Sequence, residues 1–276
     1  MLKDVRNIKK NLAMIILIGF VSIIYFNVIS DDKEIEVSEL SIDIPVDLLD
    51  VNQSWTDLSM VIYNPESMKM EVYNQEQANE KMSPCSTFKI PHTLIGLEVG
   101  VLNDGNNLYE WDGEHHNVKT WNKDHTLETA IQNSVVWYFQ IVANEIGADD
   151  TQIYLDRIDY GNNDISGGQS DYWLKSSLKV TAIEQIRFLE QLNNNELDFD
   201  KDNQMLVKEL IKLDSSNAGT LYGKTGGGKN LGWFVGFVEG ENGPIYFALN
   251  MKNHPVASGQ TAKRICLDVL NAKGIY

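Results

Sequence analysis

Pro84-Cys85-Ser86-Thr87-Phe88-Lys89-Ile90-Pro91 is the stretch on which the reading of this 276-residue chain turns. Apolar residues continue at helical spacing from Leu94 to Val101, so a helix is expected to begin just after Pro84. Ser86 and Lys89 then sit three residues apart on one helical face, where side chains can touch. A helix N-terminus favours negative charge developing nearby. A serine hydroxyl is a poor nucleophile until a base takes its proton, and an adjacent lysine can do so when uncharged. The same spacing recurs at Ser30/Lys33, at the end of an N-terminal apolar run, and at Ser176/Lys179, in a short polar stretch. Neither has a helix start behind it.

Further along, Ser134-Val135-Val136 offers a second hydroxyl, and Lys224-Thr225-Gly226 a second amine, followed by Gly227 and Gly228. A lysine and a hydroxyl on a strand edge, beside glycines that permit close backbone approach, suit a carboxylate and a carbonyl. Ser59 to Tyr63 and Met68 to Tyr73 read as strands around an Asn64-Pro65-Glu66 turn. Leu221 to Thr225, Leu231 to Val238 and Ile245 to Met251 also read as strands, separated by Gly226-Gly227-Gly228 and by Gly240 to Gly243. Between these ends, Thr126 to Ile146 is amphipathic and stops at Gly147, though it need not be one unbroken helix. Tyr160 to Gly168 is loop-like, Thr181 and Glu184 form a capping-box pattern ahead of a helix to about Leu192, and Lys263 to Leu270 closes the chain as a helix. Strands at both ends around a helical middle predict an α/β fold, with one sheet built from N- and C-terminal segments.

Residues 1–30 stand apart. Lys3, Arg6, Lys9 and Lys10 precede an apolar run from Leu12 to Ile29, the order of a secretory signal, and the run is nearly long enough to be an uncleaved anchor. On either reading the rest of the chain is exported, secreted or held on the outer face of the cytoplasmic membrane, which it touches only through this segment. Residues 31–50 read as an acidic linker, and 51–276 as the catalytic domain. The formal net charge of −16 argues against nucleic acid or anionic lipid as partner. Cys85 and Cys266 are too few for a disulfide framework, and their pairing is left open. No metal is expected: His115 and His116 are adjacent, and neighbours cannot both face one ion from a helix or strand.

Taken together, the octapeptide, Ser134-x-Val136, Tyr160-Gly161-Asn162, Trp173-Leu174 and Lys224-Thr225-Gly226 resemble the class D (oxacillinase-type) serine β-lactamases, of the Gram-positive kind. The resemblance runs from about Trp55 to the last helix. It implies the serine β-lactamase/D,D-peptidase-like fold, a central antiparallel sheet flanked by helices with a mostly helical subdomain. The implied activity is hydrolysis of β-lactam antibiotics through a serine acyl-enzyme, giving antibiotic resistance, with a small-molecule β-lactam as the partner.

Carried over residue by residue, the resemblance makes Ser86 the nucleophile and Lys89 an N6-carboxylysine, with no cofactor beyond the CO2 or bicarbonate that modifies it. Carbamate formation needs an uncharged amine, which an apolar pocket favours; Phe88, Val136 and Leu174 can wall one. Trp173 is implied as the indole donor to the carbamate and Ser134 as the proton relay to the lactam nitrogen. Lys224 and Thr225 are implied as carboxylate ligands, with Gly226 beside them, and the Ser86 and Gly227 N–H groups as the oxyanion hole. Tyr160 and Asn162 shape a loop beneath the pocket, and Trp121 is a rim aromatic. The family often has an arginine near the start of the last helix; here Ala262 takes that place, and Lys263 or Arg264 are the alternatives. Two other activities share much of this pattern: a β-lactam-sensing domain that stays acylated, and a D,D-peptidase. Oligomeric state and the range of β-lactams accepted are open.

Overall fold

A computed structural model describes residues 35–42, 57–104, 106–174 and 176–276. The basic and apolar segment 1–30, Ser30/Lys33, Trp55 and most of the linker stretch lie outside the described residues.

Seven strands form one sheet among the described residues, in the order β1-β3-β2-β7-β6-β5-β4. The hairpin expected around Asn64-Pro65-Glu66 is β2 (Leu58–Asn64) and β3 (Lys69–Tyr73), paired antiparallel. β2 then pairs with β7 (Gly243–Lys252), so the N-terminal hairpin docks on the C-terminal meander of β5 (Gly219–Gly228), β6 (Leu231–Gly240) and β7. Every pairing is antiparallel except at one edge, where β1 (Glu36–Glu39) runs parallel to β3. Residues 36–40 fall within the stretch read as linker, yet they join the sheet and bury Leu40. At the other edge lies β4 (Lys212–Ser216), exposed throughout.

The glycine triplet corrects the sequence reading. Gly226, Gly227 and Gly228 do not separate two strands; they continue β5 and pair with Trp233, Gly232 and Leu231 of β6. The reversal comes later, at Lys229-Asn230, where Asn230 adopts φ 54°. Glycine here serves close approach rather than a turn.

One face of the sheet is covered by α8 (Gly259–Ala272), whose Ala262, Ile265, Cys266, Val269 and Leu270 pack on Met60, Ile62, Phe234, Phe247 and Leu249. Each large side chain buried there contributes roughly 1.5–3 kcal/mol. The opposite face carries α6 (Ala182–Asn193), which begins at the expected capping box: Glu184 N donates to Thr181 Oγ1 and Thr181 N to Glu184 Oε2. The remaining helices are α1 (Gln75–Ala78), α2 (Lys89–Glu98), α3 (Leu127–Gln132), α4 (Val136–Ile146), α5 (Ala148–Arg157) and α7 (Lys201–Leu210), with α2 packed on α4 and α7. The amphipathic stretch Thr126 to Ile146 is therefore two helices, broken at Asn133-Ser134-Val135. No helix among the described residues is long and apolar enough to cross a membrane.

Candidate active site

Ser86 lies in a single 3-10 turn, Cys85–Phe88, that feeds directly into α2. Its side chain meets that of Lys89, with Lys89 Nζ donating to Ser86 Oγ at 2.8 Å. Ser86 is 8% exposed and Lys89 0%. Burial disfavours the charged ammonium and holds the Lys89 amine well below its ordinary range, and the nearby Lys224 charge pushes the same way. The wall is aromatic: Phe139 presents its ring 5.3 Å from Nζ, His92 stacks on Phe139 at 6.1 Å and meets Trp173 edge-on at 4.6 Å. An amine so placed can be neutral at working pH and take a proton from its neighbour.

The turn that presents Ser86 is clamped from three directions. Cys85 adopts φ 50°, a left-handed conformation that costs a non-glycine residue roughly 1–2 kcal/mol. Its N–H donates to Trp173 O at 2.9 Å and its thiol to Leu174 O at 3.3 Å. Cys85 and Cys266 are both buried and not joined to each other. From α6, Gln185 Nε2 donates to Thr87 Oγ1 at 2.8 Å, and Thr87 Oγ1 donates to Pro84 O at 2.8 Å. From the sheet, β5 presses so close that a Cβ at Gly226 would lie 2.8 Å from Pro84 O and 3.0 Å from Thr87 Cγ2. That contact explains why Gly226 follows Thr225.

Ser134 is built by a helix ending. Ser134 N–H donates to Ile131 O at 3.2 Å and Val135 N–H to Ala130 O at 2.9 Å, the paired bonds of a Schellman motif closing α3. The residue between them must be left-handed, and Ser134 adopts φ 58° where glycine is the usual occupant. Lys224 Nζ reaches across from β5 to donate to Ser134 Oγ, and to Thr225 O at 3.0 Å. Lys224 is 5% exposed; burial first, then the Lys263 charge, lower its amine to about 7.

The other expected residues divide into those at the centre and those behind it. Trp173 is fully buried with its Nε1 lacking any partner, and an unpaired buried donor costs roughly 1–3 kcal/mol. This orphaned donor, in the aromatic wall around Lys89, fits an acceptor added to that amine. Val136 is half-buried at the first position of α4, and Gly227 is exposed on β5. Tyr160 is buried behind the Ser86 turn, its ring 5.5 Å from Phe88 and its hydroxyl donating to Gln185 Oε1 at 3.3 Å. Asn162 is exposed and ties two loops together: its Nδ2 donates to Ser177 O, and its Oδ1 accepts from Lys179 N. The Ser176/Lys179 spacing carries no serine–lysine contact, since Ser176 Oγ donates to Gly167 O and Lys179 Nζ to Ser83 Oγ. Trp121 is half-buried, its indole donating to Asn133 O at 3.0 Å. Ala262 is fully buried in the core.

His92, Gln185 and Trp137 were not singled out by sequence reading. His92 continues the three-residue spacing of Ser86 and Lys89, a visible signal. Burial, then the Lys89 charge, lowers it to about 3, so it is neutral, and its Nε2 contacts Tyr172 Oη at 3.1 Å. Gln185 carries no local signal. Among the described residues no group of His, Cys, Asp and Glu could hold a metal ion.

Comparison with known proteins gives the geometry a context. The profile of the penicillin binding protein transpeptidase domain matches residues 58–271. The probable beta-lactamase YbxI of Bacillus subtilis is 38% identical over 247 residues, covering 88% of each chain. Among solved structures, a delta mutant of the class D beta-lactamase BAT-2 matches with TM-score 0.77 and 39% identity, over 85% of this chain and 99% of that one. The C-terminal domain of the BlaR penicillin-receptor of Bacillus licheniformis matches with TM-score 0.80 and 33% identity, over 88% of this chain and 99% of that one.

Proposed function

Since the chain belongs to the penicillin binding protein transpeptidase domain family and, within it, to the class D β-lactamases, we propose that its β-lactam hydrolysis runs through Ser86 and Lys89. One observation carries the assignment: a wholly buried amine 2.8 Å from a serine hydroxyl at a helix start. Ser86 Oγ attacks the lactam carbonyl, and the N–H groups of Ser86 and Gly227 receive the oxyanion, each worth about 3 kcal/mol. Ser134 hands a proton to the departing nitrogen and draws its replacement from Lys224. Thr225 and Lys224 take the substrate carboxylate. Lys263 or Arg264, at the start of α8, takes the place of the family's arginine.

Lys89 carries a carboxylate added from CO2 in this reading. When present, that group supplies an anionic oxygen able to accept the proton of Ser86 and, later, of water. Two features support it: an amine whose charged form burial disfavours, and a Trp173 N–H otherwise without an acceptor. 13C-bicarbonate should give a carbamate carbon signal in the wild type and none in Lys89→Ala. Activity should also fall at acid pH and recover with bicarbonate. A bicarbonate-insensitive profile with no such signal would reject the modification. Export through residues 1–30 is proposed from the order of basic and apolar residues there.

The likeness to the BlaR receptor domain favours a second reading, a sensor that stays acylated. Steady-state turnover of nitrocefin separates the two. Continued turnover is expected of the hydrolase; a single burst per molecule would make this chain a sensor.

A further inference from the structure

Ser134 owes its direction to two peptide planes. The plane joining it to Asn133 is held at its N–H end by Ile131 O and at its carbonyl end by the Trp121 indole, 3.0 Å away. The next plane is held by Val135 N–H on Ala130 O. With both fixed, the Cα–Cβ bond of Ser134 has one orientation, from which one side-chain rotamer brings Oγ to Lys224 Nζ. Two of these three partners, Ile131 O and Ala130 O, belong to the helix ending itself. Trp121 does not: it lies in a separate 3-10 turn, Lys119–Trp121.

What holds Trp121 is therefore part of what aims Ser134. Trp121 N–H donates to Val118 O at 2.9 Å, and Trp121 O accepts the indole N–H of Trp137 at 2.9 Å. His125 adds a contact on the preceding residue, Nε2 to Thr120 O at 2.8 Å, and its ring lies 5.9 Å from that of Trp137. Trp137 is the second residue of α4, three positions past Ser134. The path from its indole thus leaves the Ser134 segment, passes through the Trp121 backbone and returns at the Asn133 carbonyl. It is a brace across a strained turn, made of two indole N–H groups in series.

We infer that Trp137 is a positioning residue for Ser134, acting through Trp121, and that it serves opening of the lactam ring but not hydrolysis of the acyl-enzyme. The inference rests on the assignment of Ser134 as proton relay to the lactam nitrogen. Ser86 and Lys89, which the hydrolytic step needs, are held by other contacts: Trp173 O, Gln185 and β5. Loosening the brace leaves those untouched and lets Ser134 relax toward other directions.

The test is the acylation and deacylation rates of Trp137→Phe, measured by stopped-flow with a chromogenic β-lactam. Phenylalanine keeps a ring and loses the N–H. Acylation is expected to fall by about ten- to a hundredfold, the scale of a small misplacement of a reacting group, with deacylation within twofold of wild type. Trp121→Phe, which removes the N–H on Asn133 O, should behave alike and guards against a folding defect in the first variant. In a Ser134→Ala background Trp137→Phe should add nothing, because the group it aims is gone. Equal loss in both steps, or full additivity with Ser134→Ala, overturns the inference. If Ser134→Ala itself leaves acylation unchanged, the proton-relay assignment fails instead.

Discussion

Ser86 and Lys89 belong to neighbouring turns of one helix, and their contact is settled as soon as that helix forms. Ser134 and Lys224 meet across 90 residues, one from a helix ending and the other from β5, beside the edge strand of the sheet. Both pairs join a serine hydroxyl to a buried lysine amine, yet their supports differ. The first is short-range and fully enclosed, so its amine is driven far from its ordinary proton affinity. The second depends on how the sheet docks on the helices, and its amine is lowered only to about 7. The first setting suits a proton acceptor, because burial disfavours the ammonium form of the amine. The other suits a relay that gains and loses a proton near neutrality.

Substitutions should separate the two. Lys89→Ala removes the enclosed amine, the proposed base, and should slow deacylation by roughly a thousandfold, within the range for general-base catalysis; sustained wild-type turnover would break the distinction outright. Lys224→Ala should slow acylation by about a hundredfold and weaken substrate binding while an acyl-enzyme, once formed, still clears at near wild-type rate. Equal loss in the two steps, read by single-turnover kinetics, would show that the pairs are not independent.

Proton linkage gives a finer comparison. For Lys224 the folded amine titrates at about 7, against an ordinary value of 10.5, so across that window the unfolded chain binds more protons and stability rises with pH. Lys224→Met abolishes this dependence. The stability advantage of that variant over wild type should be largest at pH 7 and shrink toward pH 10, by up to about 1.4 kcal/mol per pH unit. A gap that stays constant in thermal melts would mean the amine keeps its ordinary affinity. The smallest effect is expected of Ser134→Gly. Glycine suits the left-handed position, so the fold should gain about 1 kcal/mol while acylation slows; an unchanged or lower melting temperature would show that the turn carries no strain.

The same contrast governs what could be read from residues alone. The Ser86/Lys89 contact was legible because an interval of three within a helix is a local matter. The partner of Lys224 was not, since nothing near Lys224 specifies which hydroxyl the sheet will bring to it. The helical stretch 126–146 was visible in its apolar spacing, but its break was not: Ser134 at a left-handed position runs against residue preference, a cost that the proposed relay role would account for. Gly226 to Gly228 looked like a turn because glycine marks turns as well as close approaches; only the position of Pro84 O tells them apart. The edge strands β1 and β4 escaped because exposed polar segments such as Lys212–Ser216 carry no inside–outside alternation. Helices α5 and α7 bury only two or three side chains each, too few to stand out.

The pairing of β2 with β7 places Leu58 beside Met251, so one of the first strands waits for one of the last. Closing so long a loop is entropically costly and slow, and it comes late in assembly. A chain emerging from its N-terminus presents Ser86 long before β5 arrives to press on Pro84 or β7 to seat the hairpin. Ser86 is therefore exposed before its surroundings exist. Under the proposed mechanism, reactivity toward an acylating drug waits until β5 and β7 have joined the sheet.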